Sequence, residues 1–107
     1  MISPSVPVSA SVVDQVASAL SASSLRHQAI ASNIANRDTP GYQRLATSFD
    51  AAMGSARFVA EDASSATPSL EQDVVALSGN ALRYESLSRA LARYFSIVSA
   101  ITNGARG

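Results

Sequence analysis

The sequence predicts an all-α fold, in which long N- and C-terminal helices pair as an antiparallel, coiled-coil-like hairpin joined by a largely irregular loop. Three observations predict it. Two stretches of helical apolar periodicity flank a segment with no sustained period. Apolar residues make up 47% of the chain, yet only three Phe, three Tyr and no Trp are among them, and alanine supplies much of the rest. The apolar face of the second stretch is also wider than the first can cover, so the pair is expected to be completed by packing against further copies.

Residues 1–11 contain two prolines and four serines and show no helical period, so a disordered lead-in is expected there. The same residues lack a basic n-region and an unbroken apolar run, and no cleaved secretory signal peptide is expected. From residue 12 to 36, Val13, Val16, Leu20, Ser23, His27, Ile30 and Ile34 recur at spacings of three and four, one helical stripe. Ser11 is the expected N-cap, with Asp14 in the first turn. The pattern stops after Asn36, because the residue before Pro40 is pushed out of the α region and Gly41 follows.

Residues 37–69 read as a turn and an irregular middle segment, rich in Ser, Thr and Ala and punctuated by Gly54 and Pro68. Phe49, Met53, Phe58 and Val59 are the sizeable apolar residues between Leu45 and Leu70. A second helix is expected over 70–103. Leu70, Leu77, Tyr84, Leu91 and Val98 repeat every seven residues, with Leu87, Tyr94 and Ile101 on one side and Val74, Ala81 and Phe95 on the other. Ser69 is the expected N-cap and Asn103-Gly104 the expected stop. Gly79 interrupts this helix at a cost of about 1 kcal/mol relative to alanine, and marks an expected bend or close backbone approach. The two helices would be about 37 and 50 Å long, and the residues expected at the packing interface are Val13, Val16, Leu20, Ile30, Leu77, Tyr84, Leu87, Leu91, Phe95, Val98 and Ile101.

Several function classes fall away. Eight basic and eight acidic residues balance with no basic run, which removes the electrostatic footprint of a nucleic-acid binder. The chain has no cysteine, hence no disulfide, thiol nucleophile or cysteine-based metal site. There is no HExxH, no calcium-binding loop spacing and no glycine-rich phosphate cradle, so no metal, cofactor or small-molecule substrate is expected. His27 is the only histidine, expected as a hydrogen-bonded structural imidazole on the apolar stripe, and no serine sits in a nucleophile-elbow context. The apolar window Leu87 to Ile101 carries Arg89 and Arg93 and is too short to span a bilayer.

The most informative stretch is Asn33-Ile34-Ala35-Asn36-Arg37-Asp38-Thr39-Pro40-Gly41-Tyr42. Asn33 and Asn36 share a helix face, and Ala31, Ser32 and Ala35 beside them permit close backbone approach. Pro40 and Gly41 suit the central positions of a type II turn, and Tyr42 is an amphipathic anchor after it. As a whole string it resembles the signature of the flagellar axial proteins, the rod, hook and hook-associated family. Leu77-Ser78-Gly79-Asn80-Ala81-Leu82-Arg83-Tyr84 is similar to that family's terminal helix, so the resemblance covers about residues 12–44 and 70–103.

The resemblance implies a structural, non-enzymatic subunit that stacks into a helical rod in the bacterial flagellum basal body, on the periplasmic side. It implies export through the flagellar type III apparatus, and as partners other copies of the chain, FlgC, FliE and the membrane ring protein FliF. It also implies that Asn33, Ile34, Asn36, Thr39, Pro40, Gly41 and Tyr42 make contacts between subunits or between helix and loop. The alternative reading from the residues is a helical-hairpin adaptor that binds a single protein partner without polymerising.

Overall fold

The computed structural model describes residues 8–64 and 66–106. Its elements run α1 (Val8–Ala35), β1 (Leu45–Asp50), β2 (Ser55–Ala60) and α2 (Leu70–Arg106). The fold is a helical hairpin carrying a small two-stranded antiparallel sheet, so it is mostly helical but not purely all-α.

α1 begins at Val8, which places Ser11 inside the helix rather than at its cap. Neither glycine nor proline occurs between Val8 and Ala35, so nothing breaks the helix once it has started. The expectation of disorder at residues 1–7 lies outside the described residues. At the other end, Asn36 N–H still donates to the Ser32 carbonyl at 2.9 Å, and the chain then turns away.

The start of α2 follows its sequence signal and adds to it. Ser69 Oγ accepts from Gln72 N–H at 3.1 Å while Gln72 Oε1 accepts from Ser69 N–H at 2.8 Å, a reciprocal capping box. The expected stop at Asn103-Gly104 does not act. α2 continues to Arg106, and among the described glycines only Gly41 and Gly54 adopt a positive φ, so Gly104 stays in helical conformation. Gly79 is likewise no site of close approach, because a Cβ built there meets nothing within 4 Å.

The principal correction concerns the middle segment, expected as irregular. β1 and β2 pair from Leu45↔Ala60 to Asp50↔Ser55. The loop between them is closed by Asp50 Oδ1, which accepts from the N–H groups of Ala52 and Met53 at 3.0 and 3.2 Å, and by Gly54 at φ +64°. Alanine and serine at alternate strand positions hide the period of two. An isolated two-stranded hairpin is marginal in water, and docking on a helix is what sustains one. Here the hairpin lies along α1, from Leu45 beside Asn33 to Gly54, where an added Cβ would come 3.3 Å from Ser18 Oγ. A strand of six residues spans about 20 Å, and the helix between Asn33 and Ser18 about 22 Å, so the lengths match.

The segment thus folds back onto α1 and leaves α2 short of cover. The molecule measures 63 × 36 × 16 Å, with a radius of gyration of 18.6 Å against about 13 Å for a compact chain of this length. Among the described residues the fully buried apolar side chain is Ala29, whereas Ser23, Asn33, Asp73 and Asn80 are buried and polar. The interior is small and hydrogen-bonded rather than oily.

Candidate functional site: a polar joint between helix, turn and hairpin

Two of the buried polar residues, Asn33 and Asp73, lie at the end where α1 stops and α2 starts, and the other two, Ser23 and Asn80, lie further along the helices. Asn33 is buried and uses its amide as a strand would use its backbone: Nδ2 donates to the Leu45 carbonyl at 2.9 Å, and Oδ1 accepts from Leu45 N–H at 2.8 Å. Both hydrogen-bonding groups of the first residue of β1 are thereby fixed to the last turn of α1. The Tyr42 hydroxyl donates to the same Oδ1 at 3.2 Å and lies 2.6 Å from Ser32 Oγ, which makes the tyrosine ring a prop between turn and helix.

Asn36 serves the turn itself. Its Nδ2 donates to the Ser32 carbonyl at 3.0 Å, and its Oδ1 accepts from Thr39 Oγ1 at 3.2 Å. Tyr42 N–H donates to the Thr39 carbonyl at 3.2 Å, closing a turn whose central residues are Pro40 and Gly41, and Gly41 has the positive φ of +76° that a type II turn demands. Ile34 is half-buried on the same terminal turn of α1.

A second ring of contacts, with no signature in the sequence, ties the joint to α2. Arg44 forms a bidentate pair with Asp73, at 2.9 and 3.1 Å, and its Nε donates to Glu61 at 2.9 Å. Arg37 reaches the same aspartate at 3.4 Å and the Pro68 carbonyl at 3.2 Å. The hydrogen bond to Asp73, followed by the influence of Glu61, raises the Arg44 guanidinium above its ordinary value against the opposing effect of desolvation. Planar, two-pronged recognition of a carboxylate is what arginine supplies and lysine does not. About two turns further along, Asn80 Nδ2 donates to the Ser23 carbonyl at 2.8 Å and Ser23 Oγ donates to Asn80 Oδ1 at 3.3 Å, pinning the two helices where they meet. No buried side-chain polar atom among the described residues lacks a partner.

The sequence-predicted packing residues divide. Val13, Val16, Leu20, Ile30, Leu77, Leu87 and Leu91 are half-buried. Tyr84, Phe95, Val98 and Ile101 are exposed in the single chain, because the hairpin covers α1 and nothing described covers this part of α2. His27 is exposed too, at the α1 surface beside Gln28 and Tyr84 rather than within the apolar stripe, because its position turns just clear of the partner helix. Among the described residues no group of three or more His, Cys, Asp or Glu side chains is placed to hold a metal ion, and no helix is long and apolar enough to cross a membrane.

Asn33, Asn36, Thr39, Pro40, Gly41 and Tyr42 are therefore brought together by the fold, and what they can do is mechanical. They set the direction in which the chain leaves α1. Residues 16–43 match the family model described as flagella basal body rod protein. That match supports the flagellar basal-body rod family over a segment ending one residue after Tyr42, so the aligned part contains α1 from Val16 together with the turn. The C-terminal stretch from 70 to 103 lies outside it. No curated protein and no solved structure matches the chain.

Proposed function

We propose that the chain is a structural subunit of the proximal rod of the bacterial flagellar basal body, with FlgB as the family member it fits best. The observation that carries this reading is the coincidence of the rod-family match with the joint, since the matched segment ends where Asn33, Asn36 and Tyr42 hold helix, turn and strand together. The compact spacing from Asn33 to Tyr42 favours FlgB over FlgC, whose corresponding loop is more elaborate. The partners on this reading are other copies of the chain, FlgC, FliE and FliF, and delivery is by the flagellar type III export apparatus to the periplasmic rod.

A drive shaft performs no chemistry. Its useful property is that torque entering one subunit leaves through its neighbours without the subunit bending. A joint of short, mutually satisfied hydrogen bonds has one low-energy geometry, because any other leaves buried polar groups unpaired.

The test is a clean deletion with complementation. Loss of hook–basal bodies and of motility, both restored by the intact gene and neither by a variant with alanine at Asn33, Asn36 and Tyr42, is the expected result. Normal motility in the deletion strain overturns the reading, and a purified chain that stays monomeric or dimeric at all concentrations favours a non-polymerising adaptor instead.

A further inference from the structure

Two exposed apolar surfaces of opposite charge lie on different parts of the molecule. The first is on α2. Tyr94, Ile97, Val98 and Ile101 stand at i, i+3, i+4 and i+7 and so form one stripe. Tyr94 is half-buried, and the other three are exposed, Ile97 at 54%, Val98 at 38% and Ile101 at 66%. Arg93 flanks Ile97, and no acidic residue occurs between Glu85 and Gly104.

The second is a groove of about 730 Å³ between α1 and the loop of the hairpin, lined among others by Asp14, Ser18, Ala19, Phe49, Met53 and Gly54. Phe49 is half exposed and Met53 three-quarters exposed. Asp50 borders the groove in sequence, and its carboxylate is held at the loop by the Ala52 and Met53 amides. The groove is therefore apolar with an acidic rim, and the stripe is apolar with a basic one. Among the described residues neither Asp14 nor Arg93 has an ion-pair partner within the chain.

We infer that the stripe on α2 of one copy docks into the groove between α1 and the hairpin loop of a second copy, with Arg93 set against Asp14. The chain cannot satisfy itself in this way, because α2 is one unbroken helix from Leu70 to Arg106 and its C-terminal half cannot turn back. Because the two surfaces differ, each copy that offers its stripe still carries a free groove. Such a head-to-tail contact propagates into a helical filament unless the rotation closes a ring. Ala19, a small residue in the groove, leaves room for the isoleucines, and the opposed charges fix register more than they add affinity. The inference rests on the reading of the chain as a self-associating subunit and assigns that association to two surfaces. It also gives the hairpin, which the family match does not reach, a role of its own.

The absence of native cysteine makes the test direct. The full-length chain carrying both Met53→Cys and Ile97→Cys, concentrated and mildly oxidised, is expected to give a ladder of disulfide-linked oligomers on non-reducing gels, and each single variant no ladder. Asp14→Arg or Arg93→Asp added to that background should each lower the ladder about tenfold or more, and the two together should restore it. Circular dichroism on each variant checks that the fold is intact.

A dimer from Ile97→Cys alone as strong as the product of the pair means α2 meets α2, and overturns the inference. Monomer only, or a disulfide closed within one chain, also overturns it. Should deletion abolish the basal body while no ladder forms, the rod reading stands and this interface falls. A charge-dependent ladder in a chain whose deletion leaves motility normal has the opposite meaning.

Discussion

The two ends of α2 are built on different principles. Near Asp73 and Asn80 the helix is held by amides and a bidentate ion pair, every described buried polar atom has a partner, and the buried side chains are polar, with Leu70, Val74, Val75 and Leu82 left exposed on its outer face. Beyond Leu91 the helix carries Phe95, Ile97, Val98 and Ile101 with more than a third of each exposed and almost no polar tie. Directional bonds define a geometry within one chain; undirected apolar surface is useful only when something arrives to cover it. The first half specifies the subunit, and the second is material for assembly.

Mutations at the two ends should therefore separate folding from association. The largest effect on the isolated chain is expected from Asn33→Ala, which strands the Leu45 backbone groups and the Tyr42 hydroxyl. Urea denaturation followed by circular dichroism should show a loss of about 3 kcal/mol. Arg44→Met leaves Asp73 with Arg37 alone at 3.4 Å and should cost about 2–3 kcal/mol in the same assay, less than a fully buried pair because Glu61 and Arg37 reach solvent. Since Arg44 is held above the ordinary guanidinium value, its stabilising contribution is complete below that value and would be lost only as pH rises through the still higher folded one. Alkaline conditions that a folded chain tolerates should leave the pair intact.

Smaller effects sharpen the contrast. Gly41→Ala puts a Cβ on a residue at φ +76° and should destabilise by about 1 kcal/mol. Gly79→Ala has the opposite sign, since the space around it is open, and a gain of about 1 kcal/mol is expected. Ile101→Ser should be nearly silent in the isolated chain, within about 0.5 kcal/mol, yet should abolish oligomers detected by sedimentation. If Ile101→Ser unfolds the chain while Asn33→Ala does not, the division proposed between the ends of α2 is wrong.

Legibility in the sequence follows the same line. The turn at Pro40-Gly41 could be read because one residue supplies a fixed φ and the next a positive one, and the Ser69 cap because its partner Gln72 is three positions away. Both are local. The hairpin could not be read: at its ladder positions Ala46, Ser48, Ala56 and Ala60 alternate with larger residues too weakly to show a period of two, and the strands exist because α1 is there to receive them. The Arg44–Asp73 pair spans 29 positions and the Ser23–Asn80 pair 57. Each member is an ordinary polar residue until the fold brings the two together. The roles of Asn33 and Tyr42 lay between these extremes. The residues stood out in the sequence, but that an amide would mimic a strand partner for Leu45 becomes visible only with β1 in place.

That the buried side chains among the described residues are Ala29 and four polar ones, with the larger apolar residues at most half-buried, has a calorimetric consequence. Unfolding such a chain hydrates little new hydrocarbon, so its heat-capacity increment should fall well below the usual level of about 12–15 cal/mol/K per residue, and its stability should vary only gently with temperature. The missing increment is deferred to the step in which α2 is covered, where burial of apolar surface gives a negative heat-capacity change. Cooling would then loosen contacts between subunits well before it disturbed the subunit itself.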